Sequence, residues 1–194
     1  MKKGLLLLKW IFVCFIFSLL ISCTNIHPTN TTTYSYNQAL NPNRFNEDFA
    51  SRLPPEMDTN GKKMVLVDPN VHAWGAYDQD GHLVRAGIAT AGGATCPPDD
   101  PAPDCRTGVG TFHITSMRGE DCYSKVYPKP HGGGLMPYCM YFNNGEALHG
   151  SPDNVVIEAN VSHGCVRMRI QDAQWMQENF AQVGTTVKVL PYNS

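Results

Sequence analysis

Two short motifs near the C-terminus carry side chains that could do nucleophilic chemistry. The first is His149-Gly150, and the second is the run from Ser162 to Arg167, which reads Ser-His-Gly-Cys-Val-Arg. A thiol attacks a carbonyl as its thiolate, so a catalytic cysteine needs a base nearby and a polar, partly exposed setting. Cys165 lies in such a polar stretch, and the motifs therefore predict a cysteine nucleophile with a histidine as its base.

Cysteine usage points to the same thiol. The chain has seven cysteines, two of them in the first 23 residues. In an exported protein, cysteines form disulfides wherever geometry permits. Cys96 and Cys105 bracket a proline-rich loop, so we pair them, and Cys122 with Cys139 is then the simplest second bridge. Four cysteines allow three pairings, so the connectivity stays open at this point. This pairing leaves Cys165 as the odd thiol.

The first 22 residues have the pattern of an export signal. Lys2 and Lys3 supply a positive start, and the apolar run Trp10–Leu20 that follows is too short for a comfortable membrane span. The run ends in Leu-Ile-Ser-Cys at residues 20–23, which resembles the lipobox of bacterial lipoproteins. That resemblance implies cleavage before Cys23 and attachment of several acyl chains, which anchor more stably than one chain. An ordinary secretory signal or an uncleaved anchor is the alternative.

The residue after the lipobox cysteine predicts the destination. It is Thr24, and by the same resemblance an aspartate there would retain the protein at the inner membrane. We therefore expect an exported, lipid-anchored protein that faces the periplasm from the outer membrane. The formal net charge is only −2, which gives no electrostatic footprint for nucleic acid. A membrane is thus an expected partner and nucleic acid is not.

Composition divides the rest of the chain into a tether and one domain. Residues 23–62 are rich in Asn, Thr and Pro, which predicts a flexible, lipidated tether. Phe45, Phe49 and Leu53 have helical spacing, so a short helix of this tether could dock on the domain. Residues 63–192 alternate short β-branched runs with turn residues, which predicts a single domain.

This domain is expected to be mostly β. Only Asp172–Phe180 has helical periodicity, with Gly184 as its end signal. The expected architecture is a compact sandwich-like or barrel-like domain of short strands, with one helix that follows Cys165. The predicted strands are 64–67, 72–77, 82–90, 110–116, 138–142, 147–148 and 185–190.

The motifs resemble the catalytic signature of the L,D-transpeptidases. The resemblance includes Tyr141-Phe142, the run from Ala147 to Gly150 and the run from Ser162 to Met168, and it covers about residues 63–192. The family implies action on peptidoglycan peptide stems: a thiol forms a thioester with a tetrapeptide stem, releases D-alanine and transfers the acyl group to an amine. No metal or organic cofactor is implied. Hydrolysis of the thioester, as in an L,D-carboxypeptidase or endopeptidase, is one alternative. A non-catalytic wall-binding lipoprotein is another.

The same resemblance implies catalytic roles around the thiol. Cys165 is the expected nucleophile, and His149 is expected to take the thiol proton and return it to the leaving amine. The carbonyl of Gly150 is expected to orient His149 in place of an aspartate. The backbone N–H groups of Gly164 and Cys165 are the expected oxyanion hole. His163 is expected to line the site.

Further residues are expected to contact substrate or to cover it. By the same resemblance, Arg167 suits a carboxylate of the stem, and Tyr141 and Ser162 are expected to shape the pocket. His131 is followed by three glycines, which predicts a mobile lid, with an ordinary flexible loop as the alternative. A zinc site made of His149, the His-Gly-Cys histidine and the thiol lacks a closely spaced ligand pair, so no metal site is predicted.

Overall fold

The computed structural model describes residues 48–193. The predicted signal segment, the lipobox at Cys23, most of the predicted tether and Phe45 lie outside the described residues. Within residues 48–193, no helix has the length and apolar character needed to cross a bilayer.

Nine short strands form two sheets in the described part of the chain. Their short lengths follow from the frequent turn residues of the sequence. In chain order they are β1 Met64–Asp68, β2 Ala73–Tyr77, β3 Leu83–Ile88, β4 Gly110–His113, β5 Ser116–Met117, β6 Met140–Asn143, β7 Glu146–Ser151, β8 Val166–Arg169 and β9 Thr186–Val189.

The first sheet has the strand order β3-β2-β1-β9-β4. β1 is its central strand and pairs antiparallel with β2 and parallel with β9. Its run Met-Val-Leu-Val is buried on both faces, which is why it reads as a continuous apolar run and not as an alternating one.

The second sheet has the order β5-β6-β7-β8 and carries the predicted catalytic residues. β6 and β7 form a hairpin whose turn residues, Asn144 and Gly145, have φ values of 38° and 94°. Positive φ at both positions is the property that favours Asn-Gly in tight hairpins. β7 and β8 are parallel, and His149 is in register with Arg167.

The main core lies between the two sheets. One face of the first sheet contributes Val65, Val67 and Trp74, and the second sheet contributes Leu148 and Met168. All five side chains are fully buried. The predicted mostly β, sandwich-like fold is therefore confirmed.

One helix follows β8, as predicted, but its bounds and form differ. α1 spans Ile170–Trp175 and continues as a wider helical turn, Met176–Phe180. The Ala181 N–H donates to the carbonyl of Met176 at 2.7 Å, an i to i+5 bond that marks this wider turn. The buried Asp172 carboxylate accepts a 2.7 Å hydrogen bond from Arg85 of β3, which ties the helix to the first sheet.

The last part of the predicted tether packs on the outer face of the first sheet. Phe49 and Leu53 flank a short 3-10 turn, Ala50–Arg52, and are only 4% and 5% exposed. They belong to a second apolar cluster with Leu66 and Tyr77. Residues 48–62 are therefore part of the packed domain.

Both predicted disulfides are present. Cys96 and Cys105 are bonded with an S–S distance of 2.05 Å, and Cys122 is bonded to Cys139. Among the described cysteines, Cys165 alone has a free thiol.

Candidate active site

The predicted catalytic residues share one face of the second sheet. Side chains alternate between the two faces of a strand. Leu148 of β7 and Val166 of β8 point into the core, so His149 and Arg167, which follow them in register, point to the opposite face. Cys165, two residues before Arg167, lies on that same face at the start of β8.

A cavity of about 930 Å³ covers this face. Cys165, His149, Arg167, Tyr141 and Ser162 all line it, so the structure brings together the residues that the motifs predicted. Its opposite wall is the segment that connects β5 to β6, residues 118–139, which we call the lid. The lid contributes exposed apolar side chains, among them Tyr123, Val126 and Leu135.

His149 is held in the tautomer that a general base requires. Its Nδ1 lies 2.8 Å from the carbonyl oxygen of Gly150. A carbonyl only accepts, so Nδ1 carries the hydrogen and the lone pair is left on Nε2. The ring is 5% exposed, and this burial lowers its pKa to about 4. His149 is therefore a neutral imidazole at neutral pH.

Cys165 is likewise uncharged at neutral pH, as a thiol. Burial raises its pKa to about 11, and the Glu146 charge adds to the increase, while the Ala147 N–H and the Arg167 charge oppose it. Neutral imidazole and neutral thiol thus replace the ion pair of many cysteine enzymes. The arrangement can activate the thiol by general-base removal of its proton.

Ser162 has a structural contact with the predicted oxyanion region. Its hydroxyl donates to the carbonyl of Cys165 and accepts from the Gly164 N–H at 3.1 Å. The Gly164 N–H, predicted as one donor of the oxyanion hole, is bonded to the Ser162 hydroxyl in this structure. The Cys165 N–H is left as the predicted donor of the oxyanion hole.

Arg167 is a half-buried cation in the cavity wall. Among the described residues, no carboxylate forms an ion pair with it, and burial lowers its pKa. Arg118 and Lys125 of the lid also line the cavity. These three cations suit anionic groups of a ligand. Tyr141 also lines the cavity, with its hydroxyl 3.9 Å from the sulfur of Cys122.

His163 holds the lid in place. Its ring stacks on Tyr127 of the lid with 4.2 Å between centroids, and its Nε2 lies 2.7 Å from Asp99. Asp99 belongs to the loop closed by the Cys96–Cys105 bridge, residues 96–105, which we call the acidic loop.

The acidic loop binds the lid through a second aspartate. Asp100, only 7% exposed, accepts hydrogen bonds from the Tyr127 hydroxyl at 2.7 Å and from Lys129 Nζ at 2.8 Å. The Lys129 hydrogen bond is the main cause that lowers the pKa of Asp100. Polar contacts therefore hold the segment that contains the glycine run against the acidic loop, and its role as a mobile lid stays a prediction.

The three glycines after His131 form a turn inside the lid. The N–H groups of Gly132, Gly133 and Gly134 donate to lid carbonyls between residues 124 and 128 at 2.8 to 2.9 Å. These bonds close the tip of the lid on itself, so the glycine run is a tight turn and not the hinge at the base of the lid.

Sequence reasoning missed several residues around the thiol. Gly145 presents its carbonyl 3.9 Å from the Cys165 sulfur, and Glu146 also lines the cavity. Asp99 and Asp100 act from a distant part of the chain. The Asn-Gly pair before Glu146, which favours a tight hairpin, is the one local pattern that marks this turn. The remaining contacts depend on tertiary structure.

Metal-ligating side chains converge elsewhere in the described part of the chain. Asp78, Asp80 and His82 have ligand atoms within 4.8 Å of one another in the exposed turn between β2 and β3. Such exposed acidic turns are common without a metal. This group is outside the cavity.

Comparison with known proteins agrees with the geometry. Residues 62–189 match the YkuD family model, the L,D-transpeptidase catalytic domain. YciB of Bacillus subtilis (strain 168), which carries the name of an L,D-transpeptidase, is 31% identical over 132 residues, or 62% of this chain and 63% of YciB.

Solved structures show the same fold. The L,D-transpeptidase of Xylanimonas cellulosilytica DSM 15894 is 25% identical with a TM-score of 0.59, over 72% of this chain and 66% of that chain. An L,D-transpeptidase of Stackebrandtia nassauensis is 26% identical with a TM-score of 0.56, over 70% of this chain and 58% of that chain. The chain thus spans less than two thirds of the length of these relatives. From the family match, the fold and the arrangement of the motifs, this chain belongs to the L,D-transpeptidase catalytic-domain family.

Proposed function

We propose that this protein is a cysteine-dependent peptidoglycan L,D-transpeptidase. The observation that carries the proposal is the pairing of one free thiol with a buried histidine whose Nδ1 is fixed by a backbone carbonyl. Thiol and imidazole open into the same cavity. Family membership supplies the substrate class, a peptide stem of the cell wall.

The first half-reaction would be acyl transfer to the thiol. His149 Nε2 takes the thiol proton as Cys165 attacks the carbonyl that precedes the terminal D-alanine. The C–N bond then breaks, and the imidazolium returns the proton to the leaving amine. The product is a thioester on Cys165 and free D-alanine.

Electrostatics around the site support a carboxylate-bearing donor. Arg167 is in register with His149 on the neighbouring strand, and its charge lies in the cavity wall. A guanidinium binds a carboxylate through two parallel hydrogen bonds. We assign to Arg167 the binding of a stem carboxylate, with Arg118 and Lys125 of the lid adding to the positive potential.

The second half-reaction would be transfer of the acyl group to an amine of another stem. Exchange of one amide for another needs no ATP, which suits an exported enzyme. Water could replace the amine, and the product would then be that of a carboxypeptidase or endopeptidase.

We also propose that the protein is anchored by lipid on Cys23 and faces the periplasm. The support is the lipobox-like sequence before Cys23. Metabolic labelling with a radioactive fatty acid should label the wild-type protein and not the Cys23→Ser variant. Equal labelling of both would contradict the anchor.

Purified muropeptides test the enzymatic proposal. The wild-type protein should release D-alanine from a tetrapeptide stem and form a cross-linked product, both read by mass spectrometry. Cys165→Ala should form neither product and should keep the wild-type circular dichroism spectrum. Wild-type product levels from that variant would overturn the proposal. Hydrolysis products alone would favour the hydrolase.

A further inference from the structure

The cavity is lined by an acidic residue that the first half-reaction does not use. Among the described residues that line the cavity, Glu146 is the single acidic one, against three cations. Its charge raises the pKa of the Cys165 thiol, and so disfavours the thiolate. A negative charge beside a nucleophile opposes acylation, which suggests that Glu146 serves another step.

Glu146 is fixed in position by its hydrogen bonds. Its Oε2 accepts from Asn143 Nδ2 at 2.8 Å, and its Oε1 accepts from the Gly108 N–H at 3.0 Å. Burial outweighs these bonds and raises the pKa of the carboxyl group. The carboxylate is thus held rigidly and is more basic than an exposed glutamate.

The carboxylate lies beside the backbone of Gly164, the residue before the nucleophile. A Cβ at Gly164 would be 3.2 Å from Glu146 Oε1, and Gly164 has a φ of +115°, which favours glycine. The residue next to the nucleophile therefore has no side chain between its backbone and the carboxylate. Glycine at position 164 permits this close approach, because a Cβ there would crowd the carboxylate and because its φ favours glycine.

The carbonyl of the residue before Glu146 lies near the sulfur. The carbonyl oxygen of Gly145, the residue before Glu146, lies 3.9 Å from Cys165 Sγ. A carbonyl and a carboxylate on adjacent residues of one tight turn can both accept hydrogen bonds from an ammonium group, which has three donors. The turn from Asn143 to Glu146 therefore presents a cation-binding edge beside the thiol.

We propose that Gly145 and Glu146 form the binding site of the acceptor amine, and that Glu146 removes its proton. This inference rests on the proposed function, and it identifies the acceptor as a primary amine that arrives as an ammonium ion. The donor carboxylates would bind the cations of the lid and of β8, and the acceptor would bind at the β6–β7 turn. The two substrates would thus be separated by charge.

The protons of this step balance. The ammonium transfers one proton to the Glu146 carboxylate and becomes a neutral amine, which attacks the thioester carbonyl. The amine nitrogen then loses a second proton to His149, the C–S bond breaks, and the imidazolium protonates the departing thiolate. Glu146 finally releases its proton to water. The net products are an amide, a free thiol and one proton.

The test compares two products of one thioester. With a tetrapeptide donor and an ammonium acceptor, the ratio of transfer product to hydrolysis product should fall roughly 100-fold in Glu146→Gln, within the usual range for loss of a general base. Hydroxylamine is neutral at pH 7 and needs no deprotonation. With hydroxylamine as acceptor, the ratio should change by less than about threefold, a loss that falls below the range for a general base.

Glu178→Gln is the matched control, because Glu178 is exposed on the helical turn after α1 and bonds only to Gln174 among the contacts described. It should keep the wild-type ratio with both acceptors. An unchanged ratio in Glu146→Gln, or an equal fall with both acceptors, would overturn the proposal and leave Glu146 a structural residue. Wild-type protein that forms only hydrolysis product would also overturn it, whereas no thioester at all would overturn the proposed function instead.

Discussion

The imidazole of His163 stacks on the phenol ring of Tyr127, with 4.2 Å between the two ring centroids. His163 directly precedes the glycine and cysteine of the catalytic motif, and Tyr127 belongs to the lid. This contact joins the lid to the nucleophile strand. Asp99 and Asp100 of the acidic loop hold both partners, so the position of the lid depends on a loop far away in sequence.

Removal of Asp100 should loosen the lid. In Asp100→Ala, Tyr127 and Lys129 lose a shared acceptor, so a bulky maleimide should alkylate Cys165 roughly tenfold faster, as expected when local opening becomes easier. Iodoacetamide, which is small, should react at nearly the wild-type rate. Mass spectrometry of the full-length protein measures both rates.

Asp104→Ala is the control for this experiment. Asp104 is in the same acidic loop, but its carboxylate pairs with Arg106 and not with the lid. It should leave both rates unchanged. A similar acceleration in Asp104→Ala would mean that any change in the acidic loop opens the cavity, and the specific role of Asp100 would then be wrong.

Alkylation of Cys165 should depend on pH over an unusually wide range. The thiol pKa is raised to about 11, and only the thiolate reacts. The rate constant with iodoacetamide should therefore rise about tenfold per pH unit from pH 7 to pH 10. A free cysteine peptide measured in parallel should level off earlier. A plateau of the Cys165 rate below pH 8 would contradict the neutral resting state.

Buried His149 should make the protein less stable in mild acid. Its pKa is lowered from 6.5 to about 4, so the unfolded chain binds more protons between these values. Stability should be complete above about pH 6.5 and fall as the pH approaches 4, by up to about 3 kcal/mol. Urea unfolding at several pH values measures the effect.

The variant His149→Gln isolates this contribution. It lacks the titrating group, so its free energy of unfolding should fall less steeply between pH 6.5 and 4 than that of the wild type. Parallel curves for the two proteins would show that the histidine is not buried in its neutral form.

The segment before β1 should stabilise the domain. Phe49 is 4% exposed and packs on the outer face of the first sheet. Phe49→Ala should lower the free energy of unfolding by about 3 kcal/mol, the usual cost of removing a buried aromatic ring. Ser51→Ala, at an exposed position of the same segment, should change it by less than about 0.5 kcal/mol. Similar values for both variants would contradict the packing of this segment.

Local sequence signals predicted much of the fold. The β-branched run of β1, the turn residues after Tyr77 and the apolar stripe of the C-terminal helix each act over a few residues, so their patterns are readable. The parallel pairing of β1 with β9 joins residues more than 100 positions apart. No local pattern carries that information.

The contrast between local patterns and contacts made only on folding applies to the site as well. Cys165 and His149 stand in recognisable motifs, and the two bridges match the simplest of the three pairings that the sequence allowed. Ser162 looked like a substrate contact, but its hydroxyl is bonded to the backbone around Gly164, and only a folded geometry can show such a bond. Asp100 likewise has no motif, because its partners come from the lid.

The parallel register of β7 and β8 fixes the distance between base and nucleophile through backbone hydrogen bonds. Within the connection from Ser151 to Cys165, the Ser162 hydroxyl binds the backbone around the nucleophile, whereas residues 152–161 are not part of that contact. Insertions or deletions there can accumulate during evolution without disturbing the reacting atoms. Searches for remote homologues should therefore allow a variable number of residues between the two motifs. Protein engineers can use the same connection as a site for grafting new recognition segments.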